Sequence, residues 1–252
     1  MAGPQLHRAG TAQPPRHGAE CRMTWLRQEP STAAVRLVCL PHAGAGATSF
    51  TRWLPLFPPG IAPVRVQLPG REDAAGLPPQ RSLAGLLDEL VPQVAKLDAP
   101  IALYGHSMGA LIAFELARAL DSVQLFVSGR RAPRLPARGT PIHRLPDDEF
   151  AAALETRGLG GIGHTAFQRY ALPLIKADLT VSEEYDYRVA PPLDCPITVF
   201  HGTEDPIVAR ADAEAWSAET AGEFTSHSFS GGHFFHQDHR AAIVTIIREA
   251  LE

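Results

Sequence analysis

The chain has 252 residues, 45% of them apolar and 20% charged, with a formal net charge of −4. That length can bury a sizeable core, and the negative balance argues against bulk nucleic-acid binding. No apolar run approaches a membrane span or a leader's hydrophobic segment, and three widely spaced cysteines (Cys21, Cys39, Cys195) argue against a disulfide framework, so a monomer in the cytoplasm is expected.

Residues 1–33 are rich in Pro, Gly, Arg, Thr and Gln with little apolar periodicity, and read as a mobile N-terminal tail ahead of a domain spanning 34–252. His7 and His17 are bystanders there, although Trp25 and Leu26 are able to dock on the body. Residues 34–40 (AVRLVCL) form a buried strand that ends in Pro41-His42-Ala43-Gly44-Ala45-Gly46-Ala47. This loop lacks the spacing of a phosphate-binding loop. Residues 49–56 read as a short helix and 64–68 as a second strand, followed by Pro69-Gly70-Arg71-Glu72. Over residues 82–97, Leu83, Leu86, Leu87, Leu90, Val91 and Val94 fall on one helical face, despite Pro92.

Residues 101–114, IALYGHSMGALIAF, carry the chemistry. A short apolar run leads into Gly105-His106-Ser107-Met108-Gly109 and then into an apolar helical pattern reaching about residue 120. A serine on so sharp a strand-to-helix corner needs small residues two positions to either side, because a side chain there would meet the neighbouring element. An ordinary glycine-flanked turn is the alternative, but the strand before and the helix after are both present. Ser107 is therefore the expected nucleophile, at a helix N-terminus whose dipole favours negative charge. In that topology the loop after an early strand supplies one oxyanion amide and the residue after the nucleophile the other, which points to Ala43 and Met108. His42 is expected to shape that loop.

Residues 125–128 begin another strand, followed by a basic loop with Arg130, Arg131, Arg134 and Arg138. Asp121-Ser122 joins a helix to a strand inside the domain and is not a carrier attachment site. Residues 140–190 interrupt the alternation with helical patterns on either side of a break at 158–163, and read as an inserted lid. Alternation resumes with the strand 197–200, a loop containing Asp205, a helix over about 209–220, the strand 224–229, the loop Ser230-Gly231-Gly232-His233, and a helix to residue 251. The expected fold is α/β, with a mainly parallel, doubly wound sheet and a helical lid.

The nucleophile needs a base and an orienter, which in this topology follow in the order Ser, Asp or Glu, His, each beyond a strand's carboxyl end. Asp205 and His233 fit. Asp178, Asp194 and Asp212 compete with Asp205 but do not occupy such a loop. His106 is expected to point away from Ser107, and His164, His227, His236 and His239 are expected at the surface. With no C-x-x-C and no H-E-x-x-H, no metal site is expected.

Taken together, LPHAGAGATSF (40–50), VQLPGRE (66–72), YGHSMGALIAFELAR (104–118), FVSGRRAP (126–133), LPDDEF (145–150), EEYDYRVAPPLDCPITVF (183–200), GTEDPIV (202–208) and SGGHFF (230–235) resemble the free-standing type II thioesterases of polyketide and nonribosomal peptide biosynthesis, of α/β-hydrolase fold. The resemblance covers nearly all of the chain after residue 34. It implies a triad of Ser107, Asp205 and His233, oxyanion donors Ala43 and Met108, and no cofactor of the protein's own. It also implies removal of misprimed or stalled acyl groups from the phosphopantetheine arm of acyl or peptidyl carrier proteins. The segment 158–167, Lys176 and His236 depart from the family pattern and bear on lid shape and acyl preference. Arg130, Arg131, Arg134 and Arg138 are the expected docking patch for an acidic carrier. An acyltransferase or cyclase using the same acyl-serine, a generic ester hydrolase and a non-catalytic carrier-binding module remain as alternatives. Labelled water separates the first from a hydrolase, and the presence of all three catalytic residue types argues against the last.

Overall fold

The computed structural model describes residues 24–136, 138–159 and 166–252, and within 166–169 the backbone only. Cys21, His7, His17, His164 and most of the departure at 158–167 therefore lie outside the described residues.

Seven strands form one sheet: β1 (Leu26–Arg27), β2 (Val35–Leu40), β3 (Ile61–Val66), β4 (Ile101–His106), β5 (Gln124–Ser128), β6 (Ile197–Gly202) and β7 (Phe224–Phe229). Their order is β1-β3-β2-β4-β5-β6-β7, with only the β1–β3 pairing antiparallel. The second strand begins three residues earlier than its apolar run suggested, because Pro63 sits within it. The central strands alternate their side chains between two buried layers. Val38, Leu40, Leu103, Leu125 and Val127 face one core, and Leu37, Cys39, Tyr104, Phe126 and Phe200 face the other. Near-continuous burial of this kind belongs to a parallel sheet covered on both sides.

The first layer is covered by α1 (Leu83–Val94) and α2 (Met108–Ala119), the second by α6 (Arg240–Leu251) through Ile243, Val244 and Ile247. The expected face of α1 is the one it buries, and Ser82 caps it by accepting the Gly85 amide at 3.1 Å. The short helix expected at 49–56 is a pair of 3-10 turns, Ala47–Phe50 and Leu54–Leu56. The helix expected over 209–220 is α5 (Arg210–Glu214) continued by a 3-10 segment.

The boundary expected at residue 33 is too late. Trp25 and Leu26 are buried, the Trp25 amide donates to Gln93 Oε1 at 2.7 Å, and the Trp25 carbonyl accepts the Gln67 amide at 2.7 Å. Two residues of strand and one indole were too short to register as an apolar period, yet they close the sheet edge.

Between β5 and β6 lie α3 (Asp147–Thr156) and α4 (Ala166–Glu183). They share a small core of Ile142, Phe150, Leu154 and Leu179, against which Ala43 and Ile175 pack. Lys176 holds the two helices together, with Nζ 2.7 Å from both the Leu145 carbonyl and Asp147 Oδ1. At the far end His143 and Arg157 pair with Glu183, and Arg144 with Glu184. This unit stands over the carboxyl ends of β2 and β4.

Candidate active site

The order of strands decides where the site forms. From β2 the chain steps outward to β3 and then returns across β2 to β4, so β2 and β4 are neighbours whose following loops diverge. Such a reversal opens a crevice at the strands' carboxyl ends. Leu40 pairs with Gly105, His106 with Ser128, and Gly202 with Phe229, so the loops after β2, β4, β6 and β7 leave the same edge.

Ser107 sits at the corner between β4 and α2 with φ 55° and ψ −113°, a conformation L residues seldom adopt. Its amide donates to the Ser128 carbonyl at 2.8 Å, which straps the corner to β5. A Cβ at Gly105 would collide with the Gly109 carbonyl, and one at Gly109 with the Leu40 carbonyl. The two glycines thus let α2 start hard against both its own strand and the end of β2. That contact sets the Met108 amide, which has no partner within its helix, beside the loop bearing Ala43.

His233 Nε2 lies 3.0 Å from Ser107 Oγ, and its Nδ1 lies 2.7 Å from Asp205 Oδ2. Asp205 is itself held, its Oδ1 accepting the amides of Ile207 at 2.8 Å and Val208 at 3.3 Å. Close approach of the two loops depends on Gly202, where a Cβ would lie 2.6 Å from the carbonyls of both Gly231 and Gly232. The structure therefore brings Ser107, His233 and Asp205 into one hydrogen-bonded line. The competing carboxylates are engaged elsewhere: Asp178 with Arg71, Asp212 with Arg138 and the Ala209 amide, while Asp194 is exposed.

His106 is turned behind the corner, fully buried, with Nδ1 2.9 Å from Ser128 Oγ. His236 was expected at the surface and is instead buried, stacked on His106. His42 stands 5.7 Å from His236 and 5.0 Å from Phe234, ring to ring. Burial lowers all three imidazoles: His42 to about 4, with His233 and Arg71 adding to the effect, and His106 and His236 well below the usual histidine value. At neutral pH three uncharged rings therefore surround His233, and none opposes a positive charge forming on it. The signal for His236 is the spacing: three residues after His233 in the run His-Phe-Phe-His, one turn brings it to the same buried end of the sheet, where it stacks on His106.

Three of the four arginines in the basic loop have partners within the fold. Arg130 turns inward to Ser182 on α4, and Arg131 is half-buried. Arg134 pairs at 2.6 Å with Glu219, and Arg138 at 2.9 Å with Asp212, both carboxylates being 3% exposed. These guanidinium groups neutralise buried acids, while the Arg134 and Arg138 side chains themselves stay 41% and 65% exposed. Charge read along a loop does not show which carboxylates fold up against it.

Chemically, a hydroxyl on a strained corner, an oriented imidazole, and amides at a helix N-terminus fit acyl transfer through an acyl-serine. Comparison with known proteins agrees. The "Thioesterase domain" family model matches residues 35–251. The gramicidin S biosynthesis protein GrsT of Aneurinibacillus migulanus is 39% identical, over 81% of this chain and 84% of that protein. Thioesterase PikA5 of Streptomyces venezuelae is 36% identical, over 85% and 80% respectively. Among solved structures, the type II thioesterase BorB from the borrelidin biosynthetic cluster superposes with a TM-score of 0.82 at 41% identity, covering 90% of this chain and 98% of that one. On its sheet, its corner serine and these likenesses, the chain belongs to the thioesterase family of α/β-hydrolase fold and is a hydrolase acting on thioesters.

Proposed function

We propose that the protein hydrolyses acyl thioesters presented on the phosphopantetheine arm of acyl or peptidyl carrier proteins, clearing aberrant or stalled units during polyketide or nonribosomal peptide synthesis. The observation that carries this is the Ser107–His233–Asp205 line beneath a lid, in a chain whose relatives are named for such pathways.

In the proposed reaction Ser107 Oγ attacks the thioester carbonyl as His233 Nε2 takes its proton. Asp205 holds the imidazole tautomer and stabilises the imidazolium. The amides of Ala43 and Met108 hold the tetrahedral oxyanion, where a single such donor is worth roughly 10²–10³ in rate. The C–S bond breaks and the pantetheine sulfur leaves with the proton from His233. Water, deprotonated by the same imidazole, then attacks the acyl-serine, and the acid departs as Oγ regains its proton. No cofactor enters these steps.

Turnover of acyl-carrier thioesters against matched oxygen esters tests the substrate class. Thioesters should react faster, and an equal or reversed preference would make the protein a general esterase. Heavy-oxygen water should label the released acid, whereas an unlabelled ester or lactone would identify an acyltransferase or cyclase. Ser107→Ala should form no acyl adduct by intact mass.

A further inference from the structure

The lid helix α4 reaches the loop after β2 through one carboxylate. Asp178 Oδ2 accepts the Gly44 amide at 2.7 Å, and the same carboxylate is gripped by Arg71 from both ends, Nη1 to Oδ2 at 2.6 Å and Nη2 to Oδ1 at 2.8 Å. Arg71 Nη1 also donates to the Ala45 carbonyl at 3.0 Å, while its Nε and Nη2 fix the Pro69 carbonyl. Both side chains are almost wholly buried, at 4% and 3% exposure. Further along, Gln67 Oε1 accepts the Ala47 amide and Glu72, itself at φ 48°, accepts the Thr48 amide and hydroxyl. Side chains thus anchor the loop at Gly44, Ala45, Ala47 and Thr48. Of these anchors, the one at Gly44 is made by the lid helix itself.

We infer that Asp178 is a positioning residue for the oxyanion site. By accepting the Gly44 amide it sets the adjoining Ala43 amide, so the oxyanion site is complete only when α4 is seated. This rests on the proposed role of Ala43. Its physical basis is that an amide serves an oxyanion only when fixed in advance, and a displacement of about 1 Å costs on the order of 10²-fold in rate. Because Gly44 is next in the chain to Ala43, displacing α4 removes the acceptor that holds the neighbouring peptide.

Two double variants isolate the acceptor. Replacing a buried ion pair by apolar groups of similar volume is often neutral for stability. Arg71→Met with Asp178→Leu removes both charges and the acceptor for Gly44. Arg71→Met with Asp178→Asn removes the charges but keeps an amide oxygen there. The Leu double is expected to lose roughly 10- to 100-fold in kcat on a pantetheine thioester. Its affinity for an acyl trifluoromethyl ketone, to whose carbonyl Ser107 Oγ adds to leave a tetrahedral oxyanion, should fall by the same factor. KM and affinity for the pantetheine thiol product should stay within about twofold, since the thiol carries no acyl oxygen to meet the oxyanion amides. The Asn double should lie within about threefold of wild type in all four measurements.

Equal kcat and ketone affinity in the two doubles would overturn the inference, as would product affinity falling in step with kcat. If the Leu double does not fold, a loss of more than threefold in kcat by a folded Asn double overturns it, and retention within threefold sustains it. Failure of the wild type to form the ketone adduct would instead remove the underlying acyl-serine mechanism, a result separable from any difference between the doubles.

Discussion

The imidazole of His236 lies on that of His106 with ring centroids 3.7 Å apart and planes 29° apart, both rings buried near His233. With His42, they make a cluster that folding must keep uncharged. Its pH dependence follows in sign. An unfolded chain protonates these groups near pH 6.5, whereas the folded chain protonates His42 only near pH 4 and the other two well below the usual value. Above pH 6.5 neither state binds these protons and the stability is whole. As the pH falls from 6.5 toward 4, the unfolded state takes up protons that the folded state refuses, and stability is lost by up to about 1.4 kcal/mol per pH unit for each group. Thermal melts from pH 7.5 to 4.5 should show a falling Tm, and His236→Leu should lessen the slope by about one proton. An unchanged slope would mean that His236 already carries a proton when folded.

Asp205 accepts two backbone amides besides the imidazole, so Asp205→Asn should remain folded yet present the wrong tautomer at His233. By the serine-protease precedent, kcat should drop on the order of 10⁴-fold. Steady-state kinetics and a melt on the same sample check this. Activity near wild type would show that another group orients the base.

Reversing Arg134 sets a carboxylate against the buried Glu219, which also accepts the Tyr187 hydroxyl at 3.0 Å. Since Arg134 is itself 41% exposed, solvent moderates the effect, and Arg134→Glu should cost about 2 kcal/mol of stability. Loss should appear in denaturant melts, with KM for carrier-bound and pantetheine substrates unchanged in the folded fraction. A selective, salt-sensitive rise in KM for the carrier-bound substrate would instead assign Arg134 a docking role.

Trp25 is buried beside β1, its carbonyl accepting the Gln67 amide and its own amide donating to Gln93 Oε1 on α1. Trp25→Ala should cost about 3 kcal/mol through lost burial and the cavity left behind. Deletion of residues 1–30, which removes β1 as well, should destabilise at least as much. A melting temperature unmoved by either change would place the indole outside the folding unit.

The sequence by itself determined the parts whose requirement is local. Alternation of apolar strands with amphipathic helices gave the parallel sheet, and glycines two residues to either side of Ser107 announced a corner that tolerates no side chain there. Chain order with the loops after β6 and β7 singled out Asp205 and His233. What depends on partners distant in the chain was decided only by tertiary structure. Arg71 and Asp178 are 107 residues apart, and nothing near either announces that they meet under a lid. Arg134 and Arg138 look like a basic patch until the fold brings Glu219 and Asp212 against them. His236 reads as a polar surface residue until one helical turn and a neighbouring strand bury it against His106. Periodicity reports which face of an element is apolar, whereas a buried charge or a neutral imidazole is settled by the group it is packed against, and that group comes from elsewhere in the chain.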